Sequence, residues 1–260
     1  MIIAVDVGNT ATKVALCKGS EIIKKQWRIS TCKDRTASEY FAILRALASH
    51  ASVDLAGIRG AVISSVVPAT NRHIEELCES FLSVSPVFVA SSHAALFGLK
   101  ICLEQKSIGA DRVADLVAAK TLWPAEDLLV IDMGTITVFN LLDKNGSLYG
   151  QVAAPGVSCL AHSIRECTAL LPQALAQKPE RIICDSIAPA LEGGLYWGYR
   201  YIVEGITKQI ISEEEDRTLR VVATGGATHF FKNCDYINNI DGSLTIRGIA
   251  QVYEKTRAAT

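Results

Sequence analysis

The 260-residue chain balances 26 Lys and Arg against 27 Asp and Glu, and 49% of it is hydrophobic and 20% charged. That composition excludes a disordered chain, and it offers no basic field for nucleic acid or an anionic membrane. Apolar runs such as Leu128–Ile131 fall far short of the roughly 18 residues of a spanning helix, so neither nucleic acid nor membrane is an expected partner. The opening Met1-Ile-Ile-Ala-Val-Asp6 has no basic start and meets an acid early, so it does not read as a signal peptide and a cytoplasmic location is expected. The eight Cys form no C-x-x-C pair, and Cys and His show no zinc-ligand spacing; reduced thiols are expected.

Ile2 to Asp6 reads as a first strand, and Val14 to Cys17 as a second beyond the turn Asp6–Lys13. Glu21 to Trp27 follows the hairpin turn Lys18-Gly-Ser20 as a third, giving an antiparallel meander. Residues 37–50 show helical periodicity through Tyr40, Phe41, Leu44, Leu47 and Ala48. Gly60–Val67 reads as a buried strand closed by Pro68, Asn71–Leu82 as a helix and Pro86–Ala90 as a strand. Gly109-Ala-Asp-Arg112 opens a helix over Val113–Leu122. The opening pattern then recurs. Asp127–Asp132 is again an apolar strand ending in an acid, Met133-Gly-Thr135 a turn, and Val138–Leu142 and Leu148–Ala153 complete a second meander. Helices over Ser158–Leu170 and Ala188–Ile211 and a strand over Leu219–Thr224 follow. The reading is an internal duplication with a period of about 126 residues, too long for a solenoid. Two α/β halves, residues 1–120 and 121–260, would then leave a ligand cleft between them.

Three turns carry parts for phosphate chemistry. Asp6-Val7-Gly8-Asn9-Thr10 combines a strand-end carboxylate, a Gly that lets backbone approach closely, and a hydroxyl. These can hold phosphates and a hydrated Mg²⁺, and Lys13 adds a cation. Asp132-Met-Gly-Thr135 repeats the pattern, and Thr224-Gly225-Gly226 ends a buried strand as a nucleotide-cradling turn would. Asp111 and Arg112 open a helix where the dipole favours an acid. In a kinase, a carboxylate there can accept the proton of the acceptor hydroxyl, and a guanidinium can hold an acidic substrate or the phosphoryl group.

Asp6-Val-Gly-Asn-Thr10, Ser65-Val-Val-Pro68, Gly109-Ala-Asp-Arg112, Asp132-Met-Gly-Thr135, Ala154-Pro-Gly156, Thr168-Ala-Leu-Leu-Pro172, Thr224-Gly-Gly226 and Asp241–Gly248 occur in order along nearly the whole chain. Together they resemble the type III pantothenate kinases, also known as the Baf (Bvg accessory factor) family. The resemblance implies duplicated actin-like (ribonuclease H-like) α/β domains, a homodimer, and ATP-dependent phosphorylation of pantothenate, the first step of coenzyme A synthesis. The cofactors it implies are ATP with Mg²⁺ and a monovalent cation, K⁺ or NH₄⁺. It makes Asp6, Val7, Gly8, Asn9, Thr10, Ala11, Thr12 and Lys13 the first phosphate loop, with Asp6 toward Mg²⁺. Thr135, Thr224, Gly225 and Gly226 would also lie by ATP, and Asp132 would hold the monovalent cation. Asp111 would be the proton acceptor, within a pantothenate site of Gly109, Ala110, Asp111 and Arg112.

Several positions depart from the family pattern. A Tyr-x-Asn-Pro stretch is replaced by Cys102-Leu-Glu-Gln105, and a substrate-reaching Thr falls at Ile187. Cys102 and Ile187 therefore occupy substrate-binding positions without the expected hydroxyls. Ile136 and Val138 replace smaller or hydroxylic residues beside the cation turn. Two alternatives stand beside the pantothenate reading: a kinase of the same fold with another small-molecule acceptor, and a nucleotide-binding regulator without kinase activity.

Overall fold

A computed structural model describes residues 1–23 and 26–258. By internal contacts the chain forms two units: residues 1–124, 145–148 and 243–260, and residues 125–144 and 149–242. The expected boundary at 120/121 follows chain order; the contacts assign the last helix to the first unit.

The first unit opens with β1 (Ile2–Val7), β2 (Ala11–Lys18), β3 (Glu21–Ile22) and β4 (Trp27–Ser30). The expected third strand over 21–27 is thus two short strands, and Lys24 and Lys25 within it lie outside the described residues. α1 (Ala37–His50) starts at the capping box Thr36/Glu39, in which Thr36 Oγ1 accepts from the Glu39 N–H and Glu39 accepts from the Thr36 N–H. β5 (Ala61–Ser65) and α2 (Pro68–Glu76) follow. Pro68 starts α2 instead of merely ending the strand, because a first-turn proline has no N–H to satisfy and a φ already suited to helix. The helix continues through a π-type turn over Leu77–Phe81. β6 (Pro86–Phe88), β7 (Lys100–Ile101) and α3 (Ala110–Leu122) come next.

The strands order β3-β2-β1-β5-β6, with β4 also on β2. β1 is antiparallel to β2 and parallel to β5. Alternation sends Ile3, Val5 and Val7 into a core with Tyr40, Leu44, Ile63 and Ile74. Ala4 and Asp6 face the opposite side, toward α3 and the last helix.

The second unit holds β8 (Asp127–Met133), β9 (Ile136–Leu142), most of β10 (Ser147–Pro155), α4 (Val157–Cys167), α5 (Ile187–Glu213), β11 (Leu219–Thr224) and β12 (Asn239–Ile240). Its strands order β12-β11-β8-β9-β10, and the first residues of β10 pair with β7. β8 is antiparallel to β9 and parallel to β11, as β1 is to β2 and β5. β12 runs parallel to β11 as β6 does to β5. The duplication read from the sequence is therefore also one of strand pairing. Leu129, Ile131 and Met133 face a core with Phe139, Tyr199, Val203 and Phe231, leaving Leu128, Val130 and Asp132 on the other face.

The chain ends in α6 (Leu244–Ala258), which packs on α3, β1 and β5. Gly248 makes this possible: a Cβ there would overlap the Ala114 carbonyl. The two helix backbones meet at that point without a side chain between them.

Candidate functional site

In the first unit, strand register gathers the polar groups. Asp6 pairs with Lys13 on β2 and with Ser64 on β5, so the three side chains share one face. Lys13 Nζ lies 3.5 Å from Asp6 Oδ2, and the buried Ser64 hydroxyl donates to Asp6 Oδ1 at 3.3 Å. Asp6 is only 6% exposed. Burial pushes its carboxyl above the usual range; Lys13 and Ser64 oppose this, and the charge of Asp111 adds to it.

The turn after β1 is braced from β4. The Gly8 N–H donates to the Ala11 carbonyl at 3.1 Å, and Thr31 Oγ1 donates to the Gly8 carbonyl at 2.7 Å. Thr12 is fully buried on the core face, sharing a 2.9 Å hydrogen bond with Thr31. It holds the loop from beneath, while Gly8, Asn9 and Thr10 keep some exposure and Lys13 points to the Asp6 side. Val7 packs in the core, and Ala11 opens β2.

Gly109 is the N-cap of α3, and a Cβ there would lie 2.5 Å from Asp111 Oδ1. Ala110 is buried and Asp111 stands in the first turn. The Arg112 N–H donates to Asp111 Oδ1 at 2.8 Å. Burial raises the Asp111 carboxyl, against the Arg112 amide, the Arg112 guanidinium and Lys13. Burial lowers the Arg112 guanidinium, and Asp111 and Asp115 draw it back up. Asp6, Asp111 and Asp115 thus share this side of the unit with Lys13 and Arg112 as cations. Among these five groups the carboxylates outnumber the cations by one, which suits a bound cation. Cys102 follows β7 and is exposed, its N–H donating to the Leu148 carbonyl at 2.9 Å.

In the second unit Asp132 is the next-to-last residue of β8, in register with Val138 on β9 and Thr224 on β11. Thr224 is fully buried, and its hydroxyl makes no hydrogen bond within the protein. Gly225 has φ +96°, and a Cβ there would come 2.6 Å from both Asp132 Oδ1 and the Met133 nitrogen. Only glycine suits that conformation and that gap. Gly226 is exposed beside it. The Gly156 N–H donates to the Thr135 carbonyl at 3.0 Å, tying the Ala-Pro-Gly turn to the Asp132 turn. Thr137 and Tyr199 share a buried 2.8 Å hydrogen bond. Burial, with the Asp132 charge adding, pushes the Tyr199 phenol up to about 12. Ile187 begins α5 and is 54% exposed.

The expected residues thus fall into two groups, one per unit. Ser64, Thr31 and Asp115 lie outside the sequence motifs. Ser64 stands one residue before the Ser65-Val-Val-Pro68 motif, and only its pairing with β1 identifies it.

The family described as type III pantothenate kinase matches residues 2–209. The chain belongs to this family. A type III pantothenate kinase of Anaplasma marginale (strain Florida) is 69% identical over 258 residues, covering 99% of this chain and all of that one. One from Anaplasma phagocytophilum (strain HZ) is 53% identical over 256 residues, covering 98% and 97%. Among solved structures, a Sinorhizobium meliloti protein assigned as a 2-dehydro-3-deoxygalactonokinase aligns over 99% of this chain and 96% of its own, with TM-score 0.58 and 14% identity. At that identity the likeness is one of fold alone. Two α/β units with the same strand pairing make an actin-like fold.

Proposed function

We propose that the protein transfers the γ-phosphoryl group of ATP to the primary hydroxyl of pantothenate, the first step of coenzyme A synthesis, with Asp111 as proton acceptor. The observation that carries the role of Asp111 is its setting: a half-buried carboxyl in the first turn of α3, beside Arg112 and within the field of Lys13. As the hydroxyl oxygen bonds to the γ-phosphorus and the bond to the ADP oxygen breaks, the hydroxyl proton passes to Asp111, which later returns it to water. Burial raises the proton affinity of Asp111, which suits a base working near neutral pH. Arg112 holds the anionic end of the acceptor or the phosphoryl group in transit.

The Asp6 turn with Lys13, and Thr135, Thr224, Gly225 and Gly226, are assigned to the nucleotide. The negative balance around Asp6 and Asp111 fits Mg²⁺, which is held by one or two carboxylates together with substrate phosphates. When bound, the ion neutralises charge on the β- and γ-phosphates. Asp132 and the unbonded Thr224 hydroxyl offer oxygen donors alone, the donor type of a hard cation, and we assign them to K⁺ or NH₄⁺. Exposed Leu170 (94%), Leu175, Ile182, Ile183 and Tyr201 in the second unit support a homodimer.

The test is direct. Purified protein is given ATP with pantothenate, or with a panel of other small alcohols, and ADP release is followed. Pantothenate-dependent release is expected; release with a different alcohol only, or with none, would reject the assignment.

A further inference from the structure

The two sheets place a hydroxyl residue at the same point beside each strand-end aspartate. Ser64 stands next to Asp6 on the parallel neighbour of β1, and Thr224 next to Asp132 on the parallel neighbour of β8. Both are fully buried. Their surroundings differ: the Thr224 hydroxyl is unbonded within the protein, whereas the Ser64 hydroxyl is spent on Asp6 Oδ1. Asp6 is held on its other oxygen by Lys13, its register neighbour on β2. A carboxylate at a strand end turns freely about its last bond, because that torsion is broad. Two contacts from opposite neighbouring strands, one to each oxygen, remove that freedom.

We propose that Ser64 is a positioning residue for the phosphoryl transfer, fixing the plane of the Asp6 carboxylate so that it meets the metal–nucleotide complex without reorienting. This rests on the assignment of Asp6 to that complex. At 3.3 Å the contact is longer than the usual 2.7–2.8 Å or so of a hydroxyl donor. Catalytic hydrogen bonds commonly reach their full strength only in the substrate complex. Lys13 by itself tethers the carboxylate at one oxygen, through an ammonium on a long four-carbon stem that phosphates would also attract. Ser64, on a central strand with no exposure, is the fixed half of the grip.

The experiment compares the full-length protein with Ser64→Ala, Ser64→Cys and Ser64→Thr, with Asp6→Asn as reference. It measures kcat and the KM of each substrate, and by calorimetry the binding of Mg²⁺ with a non-hydrolysable ATP analogue. Ala and Cys remove the strong donor, and Cys keeps the volume should Ala disturb folding. Both are expected to lower kcat about tenfold and weaken binding of the metal–analogue complex, with the KM for pantothenate unchanged; one hydrogen bond to a charged group is worth about that factor. Thr, which restores the hydroxyl, is expected to recover most of the loss. A kcat within about twofold of the parent in either donorless variant overturns the proposal, as does a Thr variant no better than Ala. If Asp6→Asn is inactive while the Ser64 variants behave as the parent, Ser64 alone is wrongly assigned. If Asp6→Asn keeps full activity, the role of Asp6 itself falls.

Discussion

Asp111 carries two opposing demands in one side chain. Its folded carboxyl is raised by burial, so at neutral pH the folded protein holds a charge it would rather shed. Asp111→Asn should lower turnover roughly 100-fold or more, the size of a general-base contribution, while leaving ATP affinity intact. The same variant should melt at a higher temperature than the parent at neutral pH. The folded state binds the Asp111 proton more tightly than the unfolded chain does, so this group's cost to stability grows as pH rises above the ordinary carboxylate range. The gap in melting temperature should therefore close as pH falls toward about 4. A variant that is inactive but no more stable would remove burial as the cause. Asp132 makes a separate claim. Rates measured in K⁺ should exceed those in Na⁺, and Asp132→Asn should abolish the difference; equal rates in the two salts for the parent would end that assignment.

At the scale of elements, the sequence was legible wherever a signal is local. Strand alternation, the helical periodicity over residues 37–50 and the Asp-x-Gly turns each act within a few residues, and each stands where it was expected. What went unread depends on distant partners. α6 carries Leu244, Ile249 and Val252 in a helical pattern, yet its key residue, Gly248, has meaning only against Ala114. Gly248→Val should destabilise the protein by about 1–3 kcal/mol or prevent folding, as overpacking does, and thermal melting will show it. Ser64 was missed for the same reason, since only register links it to Asp6. The acceptor side offers a further test. Cys102 and Ile187 both leave their side chains exposed and supply no hydroxyl. Each absent hydrogen bond costs about 0.5–1.5 kcal/mol, so pantothenate should bind more weakly than in relatives carrying both hydroxyls, by roughly tenfold or more. Cys102→Tyr combined with Ile187→Thr should lower its KM. No change in the double variant would mean that other groups, such as Glu104 or Ser186, have taken over that role.

For the whole molecule, the repeat was visible in chain order because each copy begins with the same strand–turn–strand segment. The return of the last helix to the first unit was not visible, since nothing near Leu244 names its destination. That return has a consequence for how the protein comes into being. The segment bearing Asp6, Ser64 and Asp111 leaves the ribosome early, but the helix that covers this side of the sheet emerges only after the second unit. At typical synthesis rates of about 5–20 residues per second, the first unit waits on the order of ten seconds with the α6-facing surfaces of α3, β1 and β5 uncovered. In that interval the second unit, contiguous apart from a short excursion at 145–148, has all of its residues to fold with. A message broken before the α6 segment would yield a chain with the Asp6, Asp111, Asp132 and Gly225 turns but no helix over that face of the first sheet, a natural client for chaperones and proteases.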